Sequence, residues 1–307
     1  SQDDEVAEQT NDGNEVRRFY ERRVFPRWEE LTPWARTDLL AAPLQEAGRP
    51  GNKVLVAGCG TGRWACHFAA SFPDTSVLGV DVSDASLAFA RERQRRFGLL
   101  NLRFEHADLR TWVPADESFD FIECGGVLHH LENPEDACAK LTSLLKPGGT
   151  MLVSLYSRAA RRPLKLLRAA LLPGVFDSMA VSPSCGRMAA PSEGPPPPHR
   201  LDDEVLRYFR QALLEQIWVS KNPHMMALAR SPDVHSLARL RDTFFHPLEL
   251  EYNLLEIQDL LQRLNLKLLG FDADSQMMQL FRETMPGRAP QDLGAWHELE
   301  QRLPELF

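Results

Sequence analysis

Three glycines at alternate positions mark the stretch of this sequence that is best suited to hold a ligand. Gly58, Gly60 and Gly62 follow an apolar run that begins at Lys53, and a helical pattern follows them from Trp64. Glycines in this arrangement adopt positive φ angles and let a ligand approach bare backbone in front of a helix N-terminus. The spacing is not the G-x-G-x-x-G of dinucleotide folds, and no Gly-Lys-Ser/Thr follows as in a phosphate loop. The pattern therefore predicts a ligand-binding turn, and an ordinary glycine turn is the alternative.

Two aspartates stand at the ends of the next predicted strands. Asp81 ends the apolar run 75–81, and it follows the turn by about 20 residues, the spacing at which a strand-end carboxylate accepts hydrogen bonds from ribose hydroxyls. Asp108 comes at the end of the alternating stretch 101–109, where its carboxylate is placed to contact an adenine amino group. A solvated loop aspartate is the alternative interpretation of Asp81.

The elements that would position these residues alternate between strand and helix. This alternation predicts a mostly parallel sheet with helices on both faces, and it places a ligand at the carboxyl ends of the strands. We therefore predict an α/β fold, a Rossmann-like doubly wound sheet of six or seven strands, with an N-terminal helix and a helical insertion. The predicted strands are 53–57, 75–81, 101–109, 118–124, 150–156 and 266–271, with a turn at 146–149 before the fifth.

Changes in composition along the chain suggest four regions. A polar, acidic start and two helical patterns precede the glycine turn, and a proline-rich stretch at 182–199 interrupts a helical segment after the fifth strand. Within that segment, basic and leucine residues alternate at 158–172 as in an amphipathic helix, for which a solvated face is the simpler interpretation. The predicted regions are an N-terminal tail with lid helices (1–50), the Rossmann-like core (51–157), a helical insertion that forms a substrate lid (158–247) and a C-terminal helix, last strand and tail helix (248–307).

Composition limits the class of protein. The chain has 307 residues, of which 43% are hydrophobic, and a formal net charge of −8. This content suffices for a core, and the negative charge argues against broad nucleic-acid binding. Five cysteines without a C-x-x-C pair predict reduced thiols in the cytoplasm. No run approaches the roughly 18 apolar residues of a membrane span, and the acidic start is unlike a signal peptide, so no membrane association is expected.

Five short motifs, taken in order and spacing, resemble those of class I S-adenosylmethionine-dependent methyltransferases. A narrower likeness, carried mainly by 126–131, 154–161 and 244–247, is to methyltransferase domains often fused to tetratricopeptide repeats, and no such repeats are found here. The first strand ends at Ala57 without the acidic residue that the superfamily usually carries there. The five motifs are Val54 to Arg63, Gly79 to Ser83, Ala107 to Leu109, Phe119 to Ile122 and Leu145 to Gly149.

The resemblance implies S-adenosyl-L-methionine as cofactor, S-adenosyl-L-homocysteine as product, and no metal. It implies that the glycine turn approaches the methionine part, that Asp81 holds the ribose, that Asp108 binds the adenine edge, and that Cys124 and Gly125 line the methyl-donating side. The implied cofactor-binding residues are Gly58, Cys59, Gly60, Thr61, Gly62, Asp81, Val82, Ser83, Ala107, Asp108, Leu109, Cys124 and Gly125.

A base is needed only if the acceptor nitrogen or oxygen must lose a proton. His129 and His130 follow the fourth strand at the catalytic end of the sheet, and with Tyr156 they are the candidate catalytic residues; packing roles are the alternative. Aromatic and basic residues outside the strands would contact the acceptor, and arginines would suit a carboxylate or phosphate on it. The candidate substrate-binding residues are Tyr20, Arg27, Trp28, Arg161, His246 and Tyr252.

The expected function is in-line methyl transfer to a small-molecule or peptide acceptor, with no nucleic-acid partner. One alternative is a catalytically weak module that binds the cofactor or another protein. A second is a protein or RNA methyltransferase that uses the basic segment 158–168. The sequence specifies neither the acceptor, the atom methylated nor the oligomeric state.

Overall fold

The computed structural model describes residues 12–22, 24–31, 38–114, 118–181, 202–220 and 223–303. The chain divides into two compact units. A helical unit comprises Ser1–Arg23 and Ala159–Leu248, and a sheet unit comprises Val24–Arg158 and Glu249–Phe307. The predicted proline-rich stretch 182–199 lies outside the described residues.

The sheet unit is built on five parallel strands in the order β3-β2-β1-β4-β5. Parallel neighbours require crossover connections, and helices supply three of the four. Because β1 has β2 on one side and β4 on the other, the strand order reverses at β1, the point where open α/β sheets bind ligands. The elements are α1 (Asp12–Arg22) of the helical unit, then α2 (Asp38–Ala47), β1 (Lys53–Ala57), α3 (Arg63–Ser71), β2 (Ser76–Asp81), α4 (Asp84–Arg96), β3 (Leu102–His106), β4 (Phe119–Cys124), a 3₁₀ turn (Leu128–His130), α5 (Pro134–Ser143) and β5 (Leu145–Val153).

Alternate residues of β1 supply the cores on the two faces of the sheet. Val54 and Val56 are buried in one cluster, and Leu55 and Ala57 are buried in the other. All four are at most 1% exposed, as expected of a central strand covered on both faces. The near-continuous apolar run that predicts this strand is therefore a direct consequence of its position.

The fifth strand begins earlier than predicted. It spans Leu145–Val153, and an irregular register opposite Phe119 and Phe121 accommodates the predicted turn 146–149 within the strand. Tyr156, placed by prediction at the end of this strand, belongs to a separate two-residue strand. That strand, β6 (Tyr156–Ser157), pairs in parallel with β7 (Glu251–Tyr252).

The predicted strand at 266–271 is wrong. These residues have no regular secondary structure, and the main sheet has five strands among the described residues. Lys267 and Leu269 are exposed, whereas the residues beside them are half-buried, so the segment has the alternation of a strand without an adjacent strand edge. The side-chain amide of Gln291 donates to the carbonyl of Leu269 at 3.1 Å. Hydrophobic alternation reports which side chains are buried, and strand formation also requires a partner.

Three helices complete the sheet unit after β7. Asn253 and Glu256 form a reciprocal capping box at the start of α11 (Leu254–Arg263), which satisfies two helix N-terminal donors. Met278, Phe281 and Trp296 form a further apolar cluster, in which the rings of Phe281 and Trp296 are stacked with their centroids 4.2 Å apart. The helices are α11 (Leu254–Arg263), α12 (Ser275–Thr284) and α13 (Leu293–Arg302).

The helical unit has its own core. Phe209 of α7 (Asp203–Ser220) contacts the rings of Phe244 and Phe245 of α10 (Leu237–Phe245) edge-on, with centroids 5.2 and 4.9 Å apart. Among the described residues, no helix is long and apolar enough to span a membrane. The first residue of α6, Arg158, is counted with the sheet unit. The helices of the helical unit are α1, α6 (Arg158–Val181), α7 (Asp203–Ser220), α8 (Pro223–Arg230), α9 (Pro232–His235) and α10 (Leu237–Phe245).

Basic side chains of the segment 158–168 bond within the protein. Arg161 and Arg168 donate to the carbonyls of Thr243 and Phe244 at 2.6 and 2.7 Å. These carbonyls belong to the last turn of α10, where unpaired acceptors and the helix dipole favour cations. Part of the segment's positive charge thus stabilises a helix end.

Two glycines with similar backbone angles provide a test of the packing around the glycine turn. Gly58 has φ +72°, and a Cβ there would lie 2.2 Å from Cγ2 of Val127, whereas Gly98 has φ +64° with open space around it. We expect Gly98→Ala to lower the free energy of unfolding by about 1–2 kcal/mol, the cost of left-handed backbone. We expect Gly58→Ala to lower it by about 1–3 kcal/mol more, because the new methyl also displaces Val127. Urea denaturation measures both, and equal losses would contradict this account.

Candidate functional site

The glycine turn joins β1 to α3 through left-handed backbone. Gly58, Gly60 and Gly62 all have positive φ angles, of 72°, 51° and 73°. The amides of Gly58 and Cys59 both donate to the carbonyl of Val80 at 2.7 and 2.9 Å, which ties the turn to β2. A Cβ built on Gly60 would have only the carbonyl oxygen of Phe25 within 4 Å, at 4.0 Å. Backbone at Gly60 is therefore open to close approach by a ligand.

Asp81 fixes the centre of this turn. Its Oδ2 accepts the amide of Gly60 at 2.7 Å, and its Oδ1 accepts the amide of Ser83 at 2.9 Å. The hydroxyl of Ser83 in turn caps α4 by accepting the amide of Ser86 at 3.1 Å. Burial raises the pKa of Asp81, and the two amides partly offset this effect. Each oxygen retains a lone pair for a further donor, so the carboxylate can still accept a diol.

Residues before the sheet cover the glycine turn. The indole Nε1 of Trp28 donates to the carbonyl of Thr61 at 3.1 Å, and the Thr61 hydroxyl donates to the carbonyl of Pro26 at 2.7 Å. The indole ring is buried and stacks on Phe97 at 5.9 Å between centroids. The structure thus gives Trp28, a candidate substrate-binding residue, a packing role at the turn, whereas Arg27 beside it is exposed.

The carboxylate of Asp108 is held by Arg110. The side chain of Arg110 donates from Nε to both carboxylate oxygens at 3.0 Å and from Nη2 to Oδ2 at 2.6 Å. The backbone amide of Arg110 also donates to Oδ1 at 2.9 Å. Burial of Asp108 opposes ionisation, but the hydrogen bonds and charge of Arg110 outweigh it and lower the pKa of Asp108. These contacts occupy the acceptor positions of the carboxylate, so another donor must compete with Arg110.

The sequence interpretation missed Glu123, the penultimate residue of β4. Its side chain is 8% exposed and lies at the carboxyl end of the sheet, in register with Val56 of β1. Burial raises the pKa of Glu123 to about 8, and a hydrogen bond from Gly125 offsets only part of this effect. A charged residue near the end of a mainly apolar strand, two residues before a glycine pair, was the signal in the sequence that pointed to it.

The remaining predicted cofactor residues lie around the same strand ends. Cys59 and Cys124 are buried, and burial raises the pKa of both thiols well above the ordinary range, so neither has thiolate character. Val82 and Ala107 follow β2 and β3, and the carbonyl of Val82 lies 2.9 Å from Nε2 of His106. Leu109 is buried in one core cluster of the sheet.

The three candidate catalytic residues form one ring cluster in the sheet unit. His129 stacks on Tyr156 with centroids 3.8 Å apart, and His130 contacts His129 edge-on at 4.2 Å. Both histidines are buried, at 1% and 5% exposure. Nδ1 of His129 lies 3.3 Å from the carbonyl of Ser154, and the backbone carbonyl of His129 accepts the amide of Leu250 at 2.8 Å. The cluster therefore joins the end of β4 to the β6–β7 pair.

Three candidate substrate residues lie in the helical unit and already have protein partners. The hydroxyl of Tyr20 donates to Asp242 at 2.9 Å, and Arg161 bonds to α10 as described above. The ring of His246 is buried and lies 5.8 Å from that of Tyr20, and its Nδ1 lies 2.8 Å from the carbonyl of Leu248. The structure thus places Tyr20 and His246 together.

Tyr252 lies in β7 of the sheet unit. Burial, followed by the nearby Glu135, Cys138 and Glu256, raises the pKa of its hydroxyl to about 12. The phenol is therefore protonated at neutral pH and can act as a hydrogen-bond donor.

Comparison with known proteins identifies the sheet unit. Residues 54–149, from β1 into β5, match the family model of a methyltransferase domain. Residues 54–149 thus form a methyltransferase domain of the class I S-adenosylmethionine-dependent type. This confirms the recognition made from the sequence motifs, and the narrower likeness to domains fused to tetratricopeptide repeats stays a prediction.

Relatives at moderate identity share this domain. Trans-aconitate 2-methyltransferase of Methylobacterium radiotolerans is 33% identical over 173 residues, covering 55% of this chain and 63% of that protein. The enzyme of the same name from Variovorax paradoxus is 34% identical over 147 residues, with coverages of 48% and 53%. Phosphoethanolamine N-methyltransferase 1 of Arabidopsis thaliana is 37% identical over 116 residues, with coverages of 38% and 23%. The chain thus spans from about a quarter to less than two thirds of the length of these relatives.

A solved structure supports the fold. PKMT2 from Rickettsia typhi, determined in complex with AdoHcy, superposes with a TM-score of 0.61 at 15% identity over 91% of this chain and 53% of that one. A likeness at this identity shows the fold alone. It confirms the predicted Rossmann-like α/β class.

The raised pKa of Glu123 predicts how stability changes with pH. The folded pKa of about 8 exceeds the ordinary value of 4.5, so between these values the native state holds one more proton than the unfolded state. The free energy of unfolding therefore falls as pH rises from 4.5 to 8, on the order of a few kcal/mol from this group. We expect Glu123→Gln to gain stability over the wild type across this window, measured by urea denaturation at several pH values. The exposed Glu132→Gln is the control, and a pH-independent difference for Glu123→Gln would contradict the assignment.

Proposed function

We propose that this protein transfers the methyl group of S-adenosylmethionine to a small molecule or peptide. One observation carries this proposal: the Asp81 carboxylate at the end of β2 holds the amide of Gly60 in an open, left-handed turn, within a domain that matches the methyltransferase family. The turn and the carboxylate fit a nucleoside with an amino-acid side arm, since one offers bare backbone and the other offers free acceptor positions.

The residues of the strand ends would hold the cofactor. Asp81 would accept the ribose hydroxyls, and the turn 58–62 would contact the methionine part. Asp108 would accept the adenine amino group once Arg110 moves aside. The two buried thiols, Cys59 and Cys124, would provide apolar walls.

The cofactor supplies a methyl group already activated by its positive sulfur. The protein must therefore align an acceptor and exclude water, so that proximity and electrostatics provide most of the rate acceleration. His129 and His130 are buried and Tyr156 is half-buried, which favours a positioning role for the two histidines. Where the acceptor must lose a proton, a ring nitrogen of His129 or His130 would take it.

The acceptor would be small and anionic. The names of the relatives specify trans-aconitate and phosphoethanolamine, which carry carboxylate and phosphate groups. The basic segment 158–168 bonds within the protein in part, which does not favour the nucleic-acid alternative. Tyr20, Arg161 and His246 remain candidate acceptor-binding residues. We place the protein in the cytoplasm, since the four described cysteines are free thiols.

Calorimetry and a turnover assay test the function. We expect the wild type to bind S-adenosylhomocysteine and, with a metabolite extract, to convert S-adenosylmethionine to it. Asp81→Ala loses a charge-assisted contact to the ribose, and we expect about 10- to 100-fold weaker binding. The exposed Asp84→Ala at the start of α4 is the matched control. A folded wild type that bound neither nucleoside would refute the proposal, and binding without turnover on any extract would favour the binding-module alternative.

Removal of Arg110 tests the proposed role of Asp108. Arg110→Ala frees the carboxylate, so we expect binding of S-adenosylhomocysteine to strengthen by up to about fivefold, the value of a partly exposed ion pair. Because the pair is screened by salt, the gain decreases as ionic strength rises. Titration of Arg110→Ala beside the control Arg91→Ala at two salt concentrations measures this effect. Unchanged or weaker binding would contradict the assignment of Asp108 to the adenine site.

A further inference from the structure

Glu123 lies where the proposed cofactor would place its amino-acid end. In the parallel pair of β1 and β4 it is in register with Val56, two residues before Gly58 of the glycine turn. Register partners in a parallel sheet project to the same face, and Val56 and Cys59 belong to the same core cluster. Cys59, within the turn, interacts electrostatically with both Glu123 and Asp81. The two carboxyl groups thus lie on either side of the first residues of the turn.

The glycine after β4 makes room for this carboxyl group. A Cβ on Gly125 would lie 2.4 Å from Oε1 of Glu123 and 3.5 Å from Oγ of Ser154. The amide of Gly125 also donates to the carboxyl group. A side chain at position 125 would therefore displace the Glu123 carboxyl from its place beside the end of β5.

Among the described residues, the Glu123 carboxyl group has no cationic partner. None of the described lysine, arginine or histidine side chains forms an ion pair with it. A buried carboxylate without a counter-charge is costly, and the cost is removed by protonation or by a bound cation. This arrangement differs from that of Asp108, whose charge is balanced by Arg110.

We propose that Glu123 binds the α-ammonium group of the cofactor's methionine part and gives up its proton when the cofactor binds. The inference rests on the proposed function and assigns a residue of this chain to one group of that ligand. The α-ammonium offers three N–H donors, whereas the sulfonium offers none, so hydrogen bonds select the former. Repulsion would keep the cofactor's α-carboxylate away from Glu123.

Binding is then linked to pH through this one carboxyl group. Among the described residues, the titratable groups that interact electrostatically with Glu123 are Cys59 of the turn and Cys124 of its own strand. Asp81 of β2 acts on Cys59 from beyond it, and Oγ of Ser154, which follows β5, would lie 3.5 Å from a Cβ on Gly125. Burial raises the pKa of both thiols well above the ordinary range, so they stay protonated. The pKa of Glu123 lies near 8 without ligand and would fall when an ammonium group is bound. Affinity should therefore rise with pH up to about 8, and one proton should leave on binding at neutral pH.

Three nucleosides identify the group that Glu123 contacts. S-adenosylmethionine has both the sulfonium and the ammonium, S-adenosylhomocysteine keeps only the ammonium, and 5′-methylthioadenosine lacks the amino-acid arm. At pH 8 we expect Glu123→Gln to bind the first two about tenfold or more weakly than the wild type does. We expect it to bind 5′-methylthioadenosine within twofold of the wild type. Loss of affinity for S-adenosylmethionine alone would assign Glu123 to the sulfonium and overturn the inference.

Calorimetry in buffers with different ionisation enthalpies counts the protons released. With S-adenosylhomocysteine at pH 7 we expect close to one proton from the wild type and from Glu132→Gln, and none from Glu123→Gln. Glu123→Asp keeps the charge on a shorter side chain, so it should retain release with weaker binding. If Glu123→Gln proves unstable, Glu123→Asp replaces it as the test variant, and unchanged affinity in Glu123→Asp would contradict the inference.

The outcomes separate the inference from the function on which it rests. If the wild type binds all three nucleosides and Glu123→Gln changes neither affinity nor proton release, only the inference is refuted. A wild type that is folded and binds none of them refutes the proposed function, and the inference falls with it. Equal loss of affinity for all three nucleosides in Glu123→Gln indicates general distortion and also overturns the inference.

Discussion

One carboxylate ties together the ends of two adjacent strands. Asp81 terminates β2, and its oxygens bind the amide of Gly60 in the turn after β1 and the amide of Ser83 before α4. Two helix starts therefore depend on a single side chain, because both loops turn their donors towards it. Burial disfavours the charged form, so the amides that satisfy it are required for the carboxylate to stay in place. The left-handed glycines are the backbone consequence, since they let the turn bend around that side chain.

The strand ends bring carboxyl groups together. Asp81 and Glu123 both act on Cys59, whose pKa rises because of burial and then because of these two groups. Arg110 neutralises only Asp108, which lies farther along the sheet at the end of β3. Two buried carboxyl groups beside one thiol favour a positively charged group, because binding it allows Glu123 to ionise. The charge of the site thus agrees with a positively charged cofactor.

The helical unit shows why a basic sequence segment is a poor guide to a binding surface. Arg161 and Arg168 lie on one helix, yet they donate to carbonyls at the end of another. Arg241 similarly donates to the carbonyl of Phe19 at 2.7 Å and lies over that residue's ring. Each of these arginines satisfies backbone acceptors that would otherwise be exposed or unpaired. Their charges therefore serve the fold of the unit, which the sequence pattern alone does not reveal.

The sequence by itself determined the first four strands, the glycine turn and the position of Asp81, because these follow from local apolar runs, glycine spacing and chain order. Local pattern failed where a partner was required: the residues 266–271 alternate like a strand but have no strand edge beside them, and Tyr156 pairs with β7 rather than extending β5. Only the tertiary structure decided which candidate residues lie together, because burial and counter-charge depend on residues distant in the chain. In it, His129 stacks on Tyr156 and Asp108 forms an ion pair with Arg110. Glu123 is buried beside the turn and has no cationic partner among the described residues.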